Sequence, residues 1–206
     1  MCVGRLFVLK RNIMKCSISN PYNRISTAQA LVLGVVAVIA MSLLAWSGGV
    51  VADGYLHYTF AEVNLWRVLA SEIVVWLLPT LLLYVAGVAM TRSWCGGVAL
   101  TANMAFAHIL LMLTMLPMLI PVVHQTMTSI LLDPTVALSL SPLHVGAIAA
   151  MGCWTMALLV LFWVWSYNAW RASFKVRGAW AVVTFVVVQL LCTIAGGYVM
   201  PWITQL

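Results

Sequence analysis

Five stretches of this chain are apolar almost without interruption, and each is long enough to cross a bilayer. They run over residues 29–50, 66–90, 97–123, 143–166 and 179–200. A membrane-spanning helix needs about 20 predominantly apolar residues for a hydrocarbon core of about 30 Å. The runs are continuous rather than alternating, so they read as helices and not as the strands of a barrel. A helix also satisfies its own backbone N–H and C=O groups, which lipid cannot do. The expectation is an all-α integral membrane bundle of five transmembrane helices over residues 29–203, preceded by a basic segment over residues 1–28.

Composition excludes the alternatives. The chain is 65% hydrophobic and 7% charged, whereas soluble globular domains are about 45–50% apolar and about 25% charged. A soluble enzyme, a nucleic-acid-binding domain and a disordered tail are ruled out. The net charge of +6 has a topological reading. Lys and Arg are retained on the cytoplasmic side of a membrane. Nine of the ten basic residues fall on one side of the five spans: Arg5, Lys10, Arg11, Lys15 and Arg24 before the first, Arg92 between the second and third, and Arg171, Lys175 and Arg177 between the fourth and fifth. The tenth is Arg67. The opposite loops carry Asp53, Glu62 and Asp133. The N-terminus is expected in the cytoplasm and the C-terminus outside. Short loops and a bare, compact chain point to a bacterial cytoplasmic membrane. Trp46, Tyr55, Tyr58, Trp66, Trp94, Trp163, Trp165, Tyr167, Trp170, Trp180, Tyr198 and Trp202 mostly sit near span ends, where aromatic rings anchor at headgroup depth.

The N-terminus lacks the apolar region of a secretory signal, since Leu6 to Leu9 is too short for one. Met14 offers an alternative start, so residues 1–13 read as a tail or a start-site artefact. The five cysteines, Cys2, Cys16, Cys95, Cys153 and Cys192, share no short spacing. They indicate neither a disulfide framework nor a zinc site.

Polar side chains inside spans are functional candidates by default. Glu72 lies about one and a half turns into the second span, five residues after Arg67. It reads as a proton or cation site, or as a carboxylate paired with Arg67 or reaching for the interface. Asn103 and His108 lie in the third span. A haem would need a second histidine at matching depth, and His57, His124 and His144 lie in or near the outer loops, so no metal or cofactor is expected. Pro117 and Pro121 predict a bent or broken end to the third span. Gly146, Ala149, Ala150, Gly152 and Cys153 make a small-residue stripe on the fourth, of the kind that lets helices approach closely. HExxH, GxSxG and P-loop strings are absent, and titratable groups are scarce for acid–base chemistry. The chain is read as a non-enzyme. Arg171, Lys175 and Arg177 are candidate contacts for anionic lipid headgroups.

Three segments carry a family resemblance. Asn20-Pro21-Tyr22-Asn23-Arg24-Ile25-Ser26 leads directly into the first span. Arg92-Ser93-Trp94-Cys95-Gly96-Gly97 forms a short turn before the third, which ends at Pro117 and Pro121. The run from Trp165 to Gly178 joins an aromatic-rich fourth span to the fifth through a small basic turn. Over roughly residues 20 to 203 the chain resembles the YIP family, the Ypt/Rab-interacting membrane proteins and their bacterial relatives. The acidic Asp-Leu-Tyr-Gly-Pro string of eukaryotic members is not present. The resemblance implies a five-helix bundle without enzymatic activity, acting as a scaffold or adaptor in membrane organisation or trafficking. The alternative from the residues is a small permease or channel component using Glu72, Asn103 and His108. Expected partners are the lipid bilayer and a membrane protein or further copies of the chain, and no nucleic acid.

Overall fold

A computed structural model describes residues 20–61 and 64–205. Residues 1–13 with their alternative start, the basic residues Arg5 to Lys15, Cys2, Cys16 and Glu62 lie outside the described residues. The fold is all-α apart from one small hairpin, and five of its helices are long and apolar enough to cross a membrane. The chain is an integral, multi-pass membrane protein.

Helix α1 (Thr27–Ser47) starts at a capping box. The Ser26 hydroxyl accepts from the Gln29 N–H at 3.3 Å, and Gln29 Oε1 accepts from the Ser26 N–H at 3.1 Å. These bonds satisfy donors that a helix start leaves open. The helix stops at Ser47 rather than at residue 50, because Gly49 takes a left-handed φ of 63° and redirects the chain. Strands β1 (Val50–Gly54) and β2 (His57–Phe60) follow as an antiparallel hairpin, with Ala52 opposite Tyr58 and an irregularity at Asp53. The connection between the first two spans is therefore folded.

Helix α2 (Leu65–Thr91) runs unbroken through Pro79. The Thr80 hydroxyl donates to the Trp76 carbonyl at 2.7 Å beside the gap that the proline leaves. Arg92 caps it with φ 54°, and α3 (Gly97–Met115) begins five residues later. The expected break at the prolines is present. A 3-10 turn spans Leu116–Leu119, Ile120 is extended, and Pro121 opens a separate helix α4 (Pro121–Leu132). The third span thus ends near Leu119, not at residue 123. The extended Ile120 has the conformation that a following proline favours, and Pro121 suits the first turn of a new helix.

Helix α5 (Pro142–Phe174) has 33 residues, about 50 Å at 1.5 Å per residue. It extends past residue 166, so Arg171 sits in its last turn and Lys175 is its left-handed cap. The join to α6 (Ala179–Gln205) is only residues 175–178. The aromatic set divides accordingly. Trp66, Trp94, Trp180, Tyr198 and Trp202 are exposed like anchors, whereas Tyr55 and Trp170 are buried in the core.

Helix α3 is the centre of the bundle, with 67% of its span window buried against 6% for α5. Helix α1 packs along it so closely that Gly34 rests on the backbone of Ala105 and Phe106. On another side, α5 meets α3 through Phe106 stacked on Trp165 at 5.4 Å. Helix α2 lies between α1 and α6, and β1 is wedged among these three helices. At the basic end Phe174 fills the space beside Gly87 and Gly96 and meets Tyr84 at 5.8 Å between ring centroids.

Candidate functional site

Glu72 is the one acidic side chain in a span, and the structure buries it completely beneath the hairpin. It does not reach for the interface. The Tyr58 hydroxyl donates to Glu72 Oε2 at 3.4 Å. The neighbouring Tyr55 hydroxyl donates to Gln189 Oε1 on α6 at 2.7 Å. The hairpin turn makes this possible. Leu56 has φ 60°, which folds the chain back, and Tyr55 then rests against Gly196, where a Cβ would stand 2.6 Å from the Tyr55 nitrogen. Glycine leaves the room that the turn backbone occupies.

The four side chains form one polar cluster between α2, the hairpin and α6. Burial pushes the Tyr55 phenol well above its ordinary range; Cys192 adds to the rise, while the Gln189 bond opposes it. Burial does the same to Tyr58, with the Glu72 carboxyl beside it and Tyr55 adding to the rise. Both phenols are neutral donors at physiological pH. Two buried atoms of the cluster, Glu72 Oε1 and Gln189 Nε2, have no hydrogen-bond partner within the described residues. Chemically the cluster offers one bare carboxylate oxygen and one bare amide donor in a nearly solvent-free setting. Such groups are costly to leave unmatched.

The other two intramembrane candidates do not join it. Asn103 lies toward the basic end, where its Nδ2 donates to Ser173 Oγ at 3.4 Å and its backbone carbonyl accepts from the Tyr22 hydroxyl at 3.2 Å. His108 is fully buried between α3 and α5, with Nδ1 donating to the Met104 carbonyl at 2.9 Å and its ring edge-on to Phe162. Among the described residues its Nε2 has no hydrogen-bond partner, and neither do Ser166 Oγ and Trp170 Nε1 on the facing helix. Glu72, Asn103 and His108 thus hold three different interfaces and do not line one path. Among the described residues, no three His, Cys, Asp or Glu side chains come together as a metal-binding group. His124 packs near Phe60, and His144 is paired with Ser141 Oγ at 2.6 Å.

Sequence reasoning found Glu72 but missed Tyr55, Tyr58 and Gln189. Gln189 was legible as the amide in an otherwise apolar run from Val186 to Leu191. The tyrosines read as anchors because their loop was not read as a hairpin.

The candidate lipid contacts lie at the other end. Arg171 ends α5, Lys175 caps it and Arg177 follows in the turn. Next to them opens an apolar groove in two lobes on the bundle surface. A lobe of about 480 Å³ lies between α2 and α3, bounded by Val74, Leu77, Leu81, Tyr84 and Thr101. A lobe of about 560 Å³ is bounded by Leu31, Trp94, Cys95 and Val98, and shares Tyr84, Gly97 and Thr101 with the first. No family model, curated protein or solved structure matches the chain.

Proposed function

We propose that the chain is a non-enzymatic membrane scaffold or adaptor, similar in layout to the YIP proteins, in a bacterial cytoplasmic membrane with its N-terminus inside. The observation that carries this reading is the state of α5. Its buried residues all fall from Phe162 onward, and Gly146 and Gly152 face open space where a Cβ would meet nothing within 4 Å. A span that leaves small residues uncovered is suited to close approach by another helix, since packing rather than hydrophobicity drives association in lipid. The contacts of Asn103, His108 and Tyr58 also hold the chain's own elements together, as a structural protein requires.

The test is crosslinking in native membranes followed by mild-detergent purification and mass spectrometry. A near-stoichiometric protein partner or a defined homo-oligomer, crosslinked through the outer half of α5, is expected. A chain that runs alone, with no crosslinked neighbour, refutes the scaffold reading.

The second reading, a small permease or channel component, is favoured by one observation: the unpartnered Glu72 Oε1 and Gln189 Nε2 share a single buried cluster. Ion or solute flux in proteoliposomes that disappears in Glu72→Gln would establish it. Flux absent across candidate solutes, or unchanged in Glu72→Gln, would remove it.

A further inference from the structure

We infer that the groove on the α2–α3 face is a binding site for one anionic phospholipid of the leaflet on the basic side, with an acyl chain over Tyr84 and the headgroup at Arg92 and Lys175. This inference needs only the membrane-spanning fold and is independent of the scaffold or permease reading.

The length of the groove fits an acyl chain. Along α2 it extends from Tyr84 back to Val74, ten residues or about 15 Å of helix rise. That is half of a hydrocarbon core of about 30 Å, the depth of one leaflet. Its walls are apolar over that run. The few polar atoms are already occupied: the Thr101 hydroxyl donates to the Gly97 carbonyl at 3.0 Å, and the Thr80 hydroxyl to the Trp76 carbonyl. An aliphatic occupant leaves none of these groups unmet.

The mouth fits an anionic headgroup. Trp94 and Cys95 bound the groove at the basic end, two and three residues after Arg92. Next to Cys95, a Cβ on Gly96 would stand 2.9 Å from the Ser173 carbonyl oxygen, two residues before Lys175. The end of α5 therefore passes beside the turn that follows the α2 cap. Arg92 and Trp94 are both exposed. Tyr84 ties mouth to wall, since it lines both lobes, touches Phe174 and donates to the Trp94 carbonyl at 3.4 Å. Two cations at an aromatic-marked entrance select negative charge where a bare apolar wall would accept any lipid.

The test uses the full chain in mild detergent, equilibrated with equimolar phosphatidylglycerol and phosphatidylcholine. Native mass spectrometry counts the lipids retained. Preferential retention of phosphatidylglycerol is expected, falling about fivefold in Arg92→Asn and about fivefold in Lys175→Asn. Both positions have left-handed caps, φ 54° and 56°, which asparagine tolerates well, so a lost cap does not account for the change. Val98→Trp fills the groove from a site that is 75% exposed and is expected to lower retention of both lipids. Ile194→Ala, on the exposed face of α6, leaves retention unchanged. Unaltered helicity verifies the fold in each variant. Equal retention of the two lipids, or Asn variants that behave like the parent, overturns the inference. So does a disulfide between two copies carrying Leu81→Cys in native membranes, because a second copy then covers the groove.

Discussion

Replacing Gly34 by alanine tests the packing at the centre of the bundle. A Cβ at this position would stand 2.6 Å from the Phe106 nitrogen, with the Ala105 backbone closer still. Unstrained carbon contacts lie at about 3.5–4.0 Å, so α1 and α3 must separate by about 1 Å. The obstacle is helix backbone, which cannot swing aside as a side chain does. A gap of about 0.5–1 Å forfeits a quarter to a half of each dispersion contact along the seam. Overpacking of this kind costs about 1–3 kcal/mol. Gly152→Ala is the matched control. It too replaces glycine in a helix interior, but its Cβ meets nothing within 4 Å. The helix-propensity gain of about 0.5–1 kcal/mol is common to both and cancels in the comparison. Gly34→Ala is therefore expected to be less stable than Gly152→Ala by about 1–3 kcal/mol. Reversible unfolding in bicelles, followed by steric trapping, measures the difference. Two variants of equal stability would refute the close α1–α3 approach.

Tyr58→Phe removes the donor to Glu72 Oε2 and is expected to destabilise by about 1–3 kcal/mol. Adding Glu72→Leu to it should recover most of that loss, because an apolar pair leaves nothing unmatched; strictly additive losses in the same unfolding assay would contradict the pairing. Gly196→Ala would place a Cβ 2.6 Å from the Tyr55 nitrogen, so faster hydrogen exchange over residues 50–60 is expected, with Gly197→Ala unchanged as the control; equal exchange in the two variants argues against the seated turn. Asp133 accepts from the Thr135 hydroxyl and N–H at 2.6 and 2.9 Å, and these bonds hold its carboxyl below the ordinary value of 3.8. A depressed pKa stabilises the folded turn above the ordinary value, and this contribution is lost as pH falls through the lower folded value. Thr135→Val should move the Asp133 midpoint, read by NMR titration, upward, and an unmoved midpoint would show that Thr135 is not its partner.

The five spans were legible because continuous apolarity over bilayer length has few other outcomes. Their ends were harder. Val50 continues an apolar run, so it read as helix, yet Gly49 and the β-branched and aromatic residues from Val50 to Phe60 specify a hairpin that turns at Tyr55-Leu56. Pro121 read as the stop of one helix and is the start of another. The 12-residue α4 is too short to register as a span. The tail of α5 was hidden by its charges. Phe162, Ser166, Trp170 and Phe174, all buried, recur every four residues, and that period outruns the basic residues beside it. The polar cluster was only half legible because its members are far apart in sequence. Tyr55 and Gln189 are 134 positions apart, and no local pattern joins them.

The two ends of the bundle are closed by different physics, and this decides which end opens first. At the basic end Phe174 fits beside Gly87 and Gly96, a nondirectional contact. Moving it opens a void in a packed interior, a loss with no offsetting gain. At the hairpin end the seal is two tyrosine hydrogen bonds, and beside them Glu72 Oε1 and Gln189 Nε2 are buried without partners. Water that enters there replaces the broken bonds and hydrates the two bare atoms as well. Partly satisfied polar clusters are expensive to keep dry, so the hairpin end has the smaller opening free energy. Amides over residues 50–60 should therefore exchange faster than those over residues 166–174, although both segments are hydrogen-bonded. In Glu72→Leu, which removes the bare oxygen, the difference should shrink. If residues 166–174 exchange first, the hairpin is the firmer closure and the partnerless atoms of the cluster are not the weak point of the fold.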